Sequence, residues 1–530
     1  MAAATELQGR SIIGFGRSQA SAGLMYGTNP ATGVRLNPPF HSATNEETAR
    51  AAALAQAAFP CYRAKTRRER AAFLRRIAAN LEELGGRLVE RATLETALPE
   101  ARVQGERART CGQLRLFAGL VEEGSWVDAR IDTGDPARRP APKPDVRSML
   151  RPLGPVAVFC ASNFPLAFSV AGGDTASALA CGCPVVVKAH MSHPATAELC
   201  GAAVLAAALA TGMPEGVFSL LFGEGARVGQ ALAAHPAIQA VGFTGSRKAG
   251  LALLSTARSR PQPIPVYAEM SSVNPVFLLP GALAQRAAQI AAGLHASVTL
   301  GVGQFCTNPG LVLAPVGAAG DAFAAALAEK MRATAPAAML NAAILKGYSS
   351  IVHARAGDAR VRTLAPPGDA GGGLATAALF ETDAATFLAH PELAEEMFGP
   401  ATLLIRYREL ADALRLACAL EGNLTATIHS APDDEPAAAE LAAALETLVG
   451  RIVFQGYPTG VEVCQAMVHG GPYPATPDGR TTSVGGRAIE RFVRAVCWQD
   501  APAELLPEEL RDGNPAGVLR MVDGERTRER

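Results

Sequence analysis

A lone thiol sits in a glycine-flanked turn. Gly303-Gln304-Phe305-Cys306-Thr307 follows a helical run and precedes the strand-like segment GLVLAP. A cysteine so placed is either a nucleophile or a buried, inert thiol, and the turn alone leaves both open. Glu269 lies 37 residues earlier, in Tyr267-Ala-Glu269-Met-Ser-Ser, just after strand-like PIPVY. A carboxylate at a strand end among small residues suits a general base, and equally a helix cap or an ion-pair partner. Ala161-Ser-Asn163-Phe-Pro follows another strand-like run. A carboxamide there can donate to a developing oxyanion, or can simply form the turn before Phe-Pro. Val187-Lys188 closes the next strand, where ligands gather in open α/β sheets. Gly242-Phe-Thr-Gly245-Ser246-Arg-Lys-Ala-Gly250 reads as a strand–turn–helix junction whose free N–H groups can hold a pyrophosphate. Gly223-Glu-Gly225-Ala-Arg227-Val-Gly229 approaches a G-x-G-x-x-G fingerprint but sets its last glycine one residue too far.

These residues need elements to hold them. From about residue 151, short β-type runs (PVAVFC, PVVVKA, FSLLFG, AVGFTG) alternate with Ala-rich helical stretches. That alternation predicts a parallel, doubly wound sheet. A second alternating block over 270–455 (PVFLLP, GLVLAP, ATLLIRY, TATIHS, GRIVFQG) predicts a second α/β domain. The first 150 residues are helix-rich, with helices expected over about 46–59, 66–93 and 98–122. Residues 133–145 read as an exposed connection, and the Gly- and Pro-rich stretch 455–487 as a long functional loop.

Bulk composition narrows the classes. Of 530 residues 49% are apolar and 18% charged, enough for several packed cores. Lys plus Arg equals Asp plus Glu at 49 each, so no global field favours nucleic acid or an acidic membrane, and the expected partner is a small molecule. The N-terminus lacks a basic region followed by an apolar run, and the apolar stretch 153–189 is broken by Asn163, Pro165, Asp174 and Pro184. The expectation is a cytoplasmic protein without a membrane span. Ten scattered cysteines without a C-x-x-C pair fit a reduced compartment, and the nine histidines show no zinc spacing, so no metal is expected.

In order and spacing, N-F-P at Asn163, V-V-K at Lys188, F-T-G-S at Gly245 and Ser246, the Glu269 turn, G-Q-x-C at Cys306 and Glu395-Glu396-Met-Phe398-Gly-Pro400 resemble the aldehyde dehydrogenase superfamily. The resemblance implies a Rossmann-type NAD(P)-binding domain (1–138 and 153–269), a second α/β catalytic domain (270–484), a small β oligomerisation element (139–152 and 485–500) and a C-terminal tail (501–530). It implies a homodimer or homotetramer, with a strand near 146–152 paired to one near 492–499. It makes Cys306 the nucleophile, Asn163 an oxyanion donor and Glu269 the base for thioester hydrolysis. Lys188 and Glu396 would hold ribose hydroxyls, Gly245 and Ser246 the pyrophosphate, and Phe398 the nicotinamide ribose. Two departures stand out. The usual Glu-Leu-Gly-Gly is Glu269-Met-Ser271-Ser272 here, and Met191 stands where NAD-preferring members often carry Glu. With Arg227 expected near the adenosine end, the cofactor expectation leans from NAD towards NADP, with dual use next.

Leu98–Phe117 and Tyr457–Gly485 are more specific and look like the 2-oxoglutarate semialdehyde (2,5-dioxopentanoate) dehydrogenases of sugar-acid and hydroxyproline catabolism. Arg109 and Gln113 share a helix face, and register with the family puts Arg109 at the substrate tunnel. A buried guanidinium there would take the substrate's terminal carboxylate, or else pair with Glu106 on a solvated face. Phe164 is expected in the tunnel wall. The alternative is a broad-range or long-chain aliphatic aldehyde dehydrogenase.

Overall fold

The computed structural model describes residues 6–529. Met1 to Thr5, part of the stretch read for a secretory signal, and Arg530 lie outside the described residues. Helix α1 (Asn45–Arg63) starts at a capping box, with Thr44 accepting from the Glu47 amide and Glu47 accepting from that of Thr44. Thr66 and Glu69 start α2 (Arg67–Glu83) in the same way. The single helix expected over 66–93 is two: the chain breaks at Gly85, whose φ of +55° is left-handed, and resumes as α3 (Gly85–Thr96). Helix α4 (Glu100–Glu123) packs along α2, with Leu114, Phe117 and Val121 in one core with Phe73, Leu74 and Ile77.

The first sheet places strands in the order Val266–Glu269, Ala240–Thr244, Val156–Phe159, Val185–Lys188, Phe218–Leu221, Ile12–Ile13, Gly16–Arg17. The first five are parallel, and the N-terminal pair adds on antiparallel. From Val156–Phe159 the chain winds outward one way to Phe218–Leu221. It then crosses back to Ala240–Thr244 on the other side. The switch point therefore lies between Val156–Phe159 and Ala240–Thr244, where open α/β sheets leave a crevice at the carboxyl ends of the strands.

The second sheet runs Arg362–Ala365, Ala378–Asp383, Ala401–Tyr407, Leu311–Pro315, Val276–Leu278, Asn423–His429, Val449–Phe454. All its pairings are parallel except that of the edge strand Arg362–Ala365. Helices cover both faces, so Ala401–Tyr407 and Asn423–His429 are buried almost throughout, the second despite its polar Asn423, Thr425, Thr427 and His429.

A third, smaller sheet projects from the body. Val493–Gln499 pairs antiparallel with Val146–Pro152 over seven residues. Arg130–Asp132 pairs on the far side of Val146–Pro152, placing part of the segment assigned to the cofactor-binding domain in this sheet. The tail beyond 501 supplies Arg520–Val522 and Glu525–Thr527 to the same sheet. Leu506, Leu510 and Val522 close a small core with Val127, Ile131 and Met149, which is why this charged tail is held. Among the described residues no helix is long and apolar enough to cross a membrane.

Candidate active site

Four candidate residues stand at the carboxyl ends of neighbouring strands. Asn163 follows Val156–Phe159, Lys188 ends Val185–Lys188, Gly245 and Ser246 follow Ala240–Thr244, and Glu269 ends Val266–Glu269. Cys306 arrives from the other half, on a turn after the helix Pro280–Thr299. That turn puts Gly301, Val302 and Gly303 at φ +55°, +58° and +66°. A left-handed Val is strained, so neighbouring structure must impose it. The neighbour is the Phe398-Gly399-Pro400 segment: a Cβ on Gly303 would lie 2.2 Å from the Gly399 carbonyl carbon, and one on Gly399 would lie 2.3 Å from the Tyr348 ring. The two glycine-containing motifs are thus one interlocked piece.

Hydrogen bonds fix the thiol loop further. Asn274 Nδ2 donates to the carbonyls of Cys306 and Asn308, both at 2.9 Å. The Ser272 hydroxyl, in place of the family's usual glycine, donates to Asn274 and to Asn423, and accepts from the Leu424 amide. The replacement is therefore built into the support of the nucleophile. Asn163 Nδ2 donates to Gln304 O at 3.0 Å, beside Cys306, and the carboxamide's second N–H remains for an oxyanion. Arg102 clamps both arms. Its Nη2 donates to Asn163 O at 3.1 Å, and its guanidinium lies 4.9 and 4.5 Å from the Phe164 and Phe305 ring centres.

The long loop after residue 455 brings two groups the sequence reading did not single out. His469 Nε2 lies 2.9 Å from Glu269 Oε2 and 3.5 Å from Cys306 Sγ. The Ser483 hydroxyl is 3.0 Å from the same carboxylate oxygen. Burial pushes the Glu269 carboxyl up, but His469, Cys306 and Ser483 outweigh it and hold the carboxyl below its usual range. Burial, and then the Glu269 charge, push the Cys306 thiol well above the ordinary thiol range. Glu269, Cys306 and His469 each offer a donor atom, all within 4.8 Å of one another, a set that also suits a thiophilic cation. No sequence spacing could signal it, because His469 is 163 residues from Cys306.

A cavity of about 620 Å³ runs from Asn163, Glu269 and Cys306 past Thr244, Gly245 and Ser246 to Glu396 and Phe398. It fits an elongated dinucleotide. Ser246 caps the helix Arg247–Arg258 and stands exposed with Gly245 at its positive end. Lys188 is buried yet has no ion-pair or hydrogen-bond partner among the described residues, so its ammonium is free for ribose hydroxyls. Burial raises the Glu396 carboxyl to about 7. Arg227 is not brought to this cavity: it donates to Ala43 O at 2.8 Å and Ser42 Oγ at 2.6 Å.

On the other side of Cys306, Phe164 packs edge-on against Phe168 and Phe305. Arg109 Nε and Nη2 donate to Val461 O at 3.3 and 3.2 Å, and its guanidinium stacks on Phe168. Its Nη1 is buried with no partner among the described residues. Glu106 does not pair with it but accepts from the Leu166 and Ala167 amides. Gln113 is buried beside Gly173 and the Ser483 carbonyl, away from the cavity lining.

Comparison with known proteins identifies the family. Residues 18–471 match the Aldehyde dehydrogenase family. Alpha-ketoglutaric semialdehyde dehydrogenase 2 of Azospirillum brasilense is 52% identical over 528 residues, covering 98% of this chain and 99% of that protein. Alpha-ketoglutaric semialdehyde dehydrogenase of Acinetobacter baylyi (strain ATCC 33305 / BD413 / ADP1) is 46% identical over 98% of this chain and 99% of its own. Lactaldehyde dehydrogenase from Escherichia coli shares the fold at TM-score 0.80 and 22% identity, covering 93% of this chain and 99% of its own. With about half of all positions shared with one relative along nearly its whole length, and a family match running through His469, the chain belongs to the aldehyde dehydrogenase family.

Proposed function

We propose that the protein oxidises 2-oxoglutarate (alpha-ketoglutaric) semialdehyde to 2-oxoglutarate. The observation that carries the reading is the near-full-length identity of 52% to a relative of that name. Arg109 supports it physically. Its buried, unpartnered Nη1 lies close enough to Cys306 and Glu269 for their charges to reach it. An anion at the far end of the aldehyde gives that guanidinium the partner it lacks, whereas an aliphatic aldehyde leaves it unpaired.

Cys306 attacks the aldehyde carbon, and the free N–H of Asn163 with the Cys306 backbone N–H steadies the resulting oxyanion. NAD(P) supplies the hydride acceptor. Glu269 then takes a proton from the water that releases the acid from Cys306. Lys188 and Glu396 would bind the cofactor's ribose hydroxyls, Gly245 and Ser246 would receive the pyrophosphate, and Phe398 would pack beside the nicotinamide ribose. NADP remains the favoured form on Met191 alone, an exposed side chain where a carboxylate would repel a 2′-phosphate. Arg227 gives that preference no support, since its donors are engaged. The small sheet is the oligomerisation element of a homodimer or homotetramer.

The test is kcat/KM on 2-oxoglutarate semialdehyde and on hexanal, with NAD and with NADP, for wild type and Arg109→Leu. The expected result is a loss of about 10²-fold, roughly 3 kcal/mol of transition-state binding, confined to the oxo acid. Faster wild-type turnover of hexanal than of the oxo acid would sink the reading. A higher kcat/KM with NAD would remove the NADP preference.

A further inference from the structure

The thiol of Cys306 has an activation problem. It is held protonated by burial and by the negative charge of Glu269, the very group that must take its proton. Moving that proton leaves an anionic sulfur that needs a hydrogen-bond donor. His469 is placed to answer this. Its Nε2 touches both groups, at 2.9 Å from Glu269 Oε2 and 3.5 Å from Cys306 Sγ. Its ring is buried, and Nδ1 has no hydrogen-bond partner among the described residues.

That orphaned Nδ1 fixes the tautomer. A proton on Nδ1 would be a buried donor without an acceptor, and would leave a bare Nε2 lone pair facing a carboxylate oxygen at contact distance. The ring's working proton is therefore the one on Nε2, which faces both acceptors while Nδ1 faces none. One N–H then serves two acceptors. Glu269 Oε1 has no hydrogen-bond partner either, so it keeps lone pairs free to receive a proton.

We propose that His469 is a further catalytic residue, whose Nε2–H is passed as a hydrogen bond from Glu269 to Cys306 as the thiol ionises. The Sγ–H bond breaks, the proton forms an O–H bond on Glu269, and the electron pair stays on sulfur. His469 loses and gains no proton. As the carboxylate is neutralised it becomes the weaker acceptor, and the N–H turns to the thiolate. When Glu269 later passes that proton to a water of the adjoining cavity, forming hydronium that leaves to bulk solvent, the hydrogen bond returns to the carboxylate and leaves Glu269 ionised for the hydrolytic water. The idea deepens the proposed reaction and rests on it, but concerns the thiol alone. The other charges facing Cys306 are Glu396 on the cofactor side and Arg102, Arg109 and Arg451, none of which touches both groups as His469 does.

The test needs neither aldehyde nor cofactor, so it stands apart from the substrate reading. Iodoacetamide alkylation of Cys306 is followed against pH by peptide mass spectrometry, which separates it from exposed Cys61, Cys418 and Cys497. His469→Phe removes the donor and keeps a ring. It is expected to raise the apparent pKa of alkylation by about one to two units, slowing the reaction at pH 7 about 10- to 100-fold. His469→Gln places an amide N–H near the Nε2 position and should stay within about threefold of wild type. A wild-type profile for folded His469→Phe overturns the proposal, as does a loss in His469→Gln equal to that in His469→Phe. Should the Phe variant not fold, nitrogen-15 histidine spectra of the wild type decide. The resonance that vanishes in His469→Gln must be an Nε2–H tautomer, and an Nδ1–H tautomer refutes the mechanism.

Discussion

Glu396 carries the only carboxyl of the cofactor cavity that burial brings to about 7, inside the working range of an enzyme. Ionised, it would offer both oxygens as acceptors to two ribose hydroxyls; protonated, it gives part of that capacity up to its own O–H. Below about pH 7 the folded protein holds it protonated, and cofactor binding weakens; above it, the carboxylate is available. Cofactor Kd measured by calorimetry is therefore expected to fall by about tenfold from pH 6 to 8. Glu396→Gln should bind weakly with no such step, and a step that survives in that variant would assign the titration elsewhere. The residue scale is also where the sequence was most readable. Cys306, Glu269 and Asn163 drew notice through the turns around them, but their expected roles came from the resemblance of six ordered motifs to a family. His469 did not, because its meaning comes only from a fold that carries a loop back across the molecule to Glu269. Arg227 misled for the converse reason: its charge and position in the chain were right for a phosphate, but its donors were spent on Ser42 and Ala43.

Elements decide how firmly those residues are held. The turn before Cys306 is left-handed at three successive positions and lies flat against Gly399, so its geometry is imposed from outside. Gly303→Ala would place a Cβ 2.2 Å from the Gly399 carbonyl carbon, at a φ of +66° that disfavours it. The turn must shift and carry Cys306 away from Asn163. A displacement near 1 Å costs on the order of 10²-fold in rate. Gly303→Ala should thus lose about that in kcat on every aldehyde, with KM little changed and the circular dichroism of wild type. An equal fall on one substrate only would contradict the argument. The buried parallel strands were legible, since ATLLIRY is a mostly apolar run too short to be a helix and TATIHS alternates β-branched residues between turn signals. Ala378–Asp383 was not, because ALFETD has only three apolar residues before it turns polar, too short a run to stand out. The break at Gly85 was missed too, because the apolar period continues across it.

At the scale of the whole molecule, the small sheet leaves one question of pairing. Val493–Gln499 is paired on one side only, and most of its residues are exposed or half-buried. An unpaired strand of seven residues invites another chain, and nothing among the described residues covers it. A second copy that joins its own sheet here, or packs across it, removes the hazard. The expected solution state is a multiple of the 54.8 kDa chain. Within an antiparallel pair, successive residues point their N–H groups alternately inward and outward. Of Ala495→Pro and Val496→Pro, one therefore removes an outward N–H and the other an N–H bonded to Val146–Pro152. If the outer edge is the interface, one variant of the pair dissociates to monomers in sedimentation velocity while keeping its thermal transition near wild type. The other loses about 1 kcal/mol or more of stability with its own ladder bond. A wild-type chain that sediments as a monomer at micromolar concentration would show that the edge is tolerated bare, with Arg494 its one charged side chain.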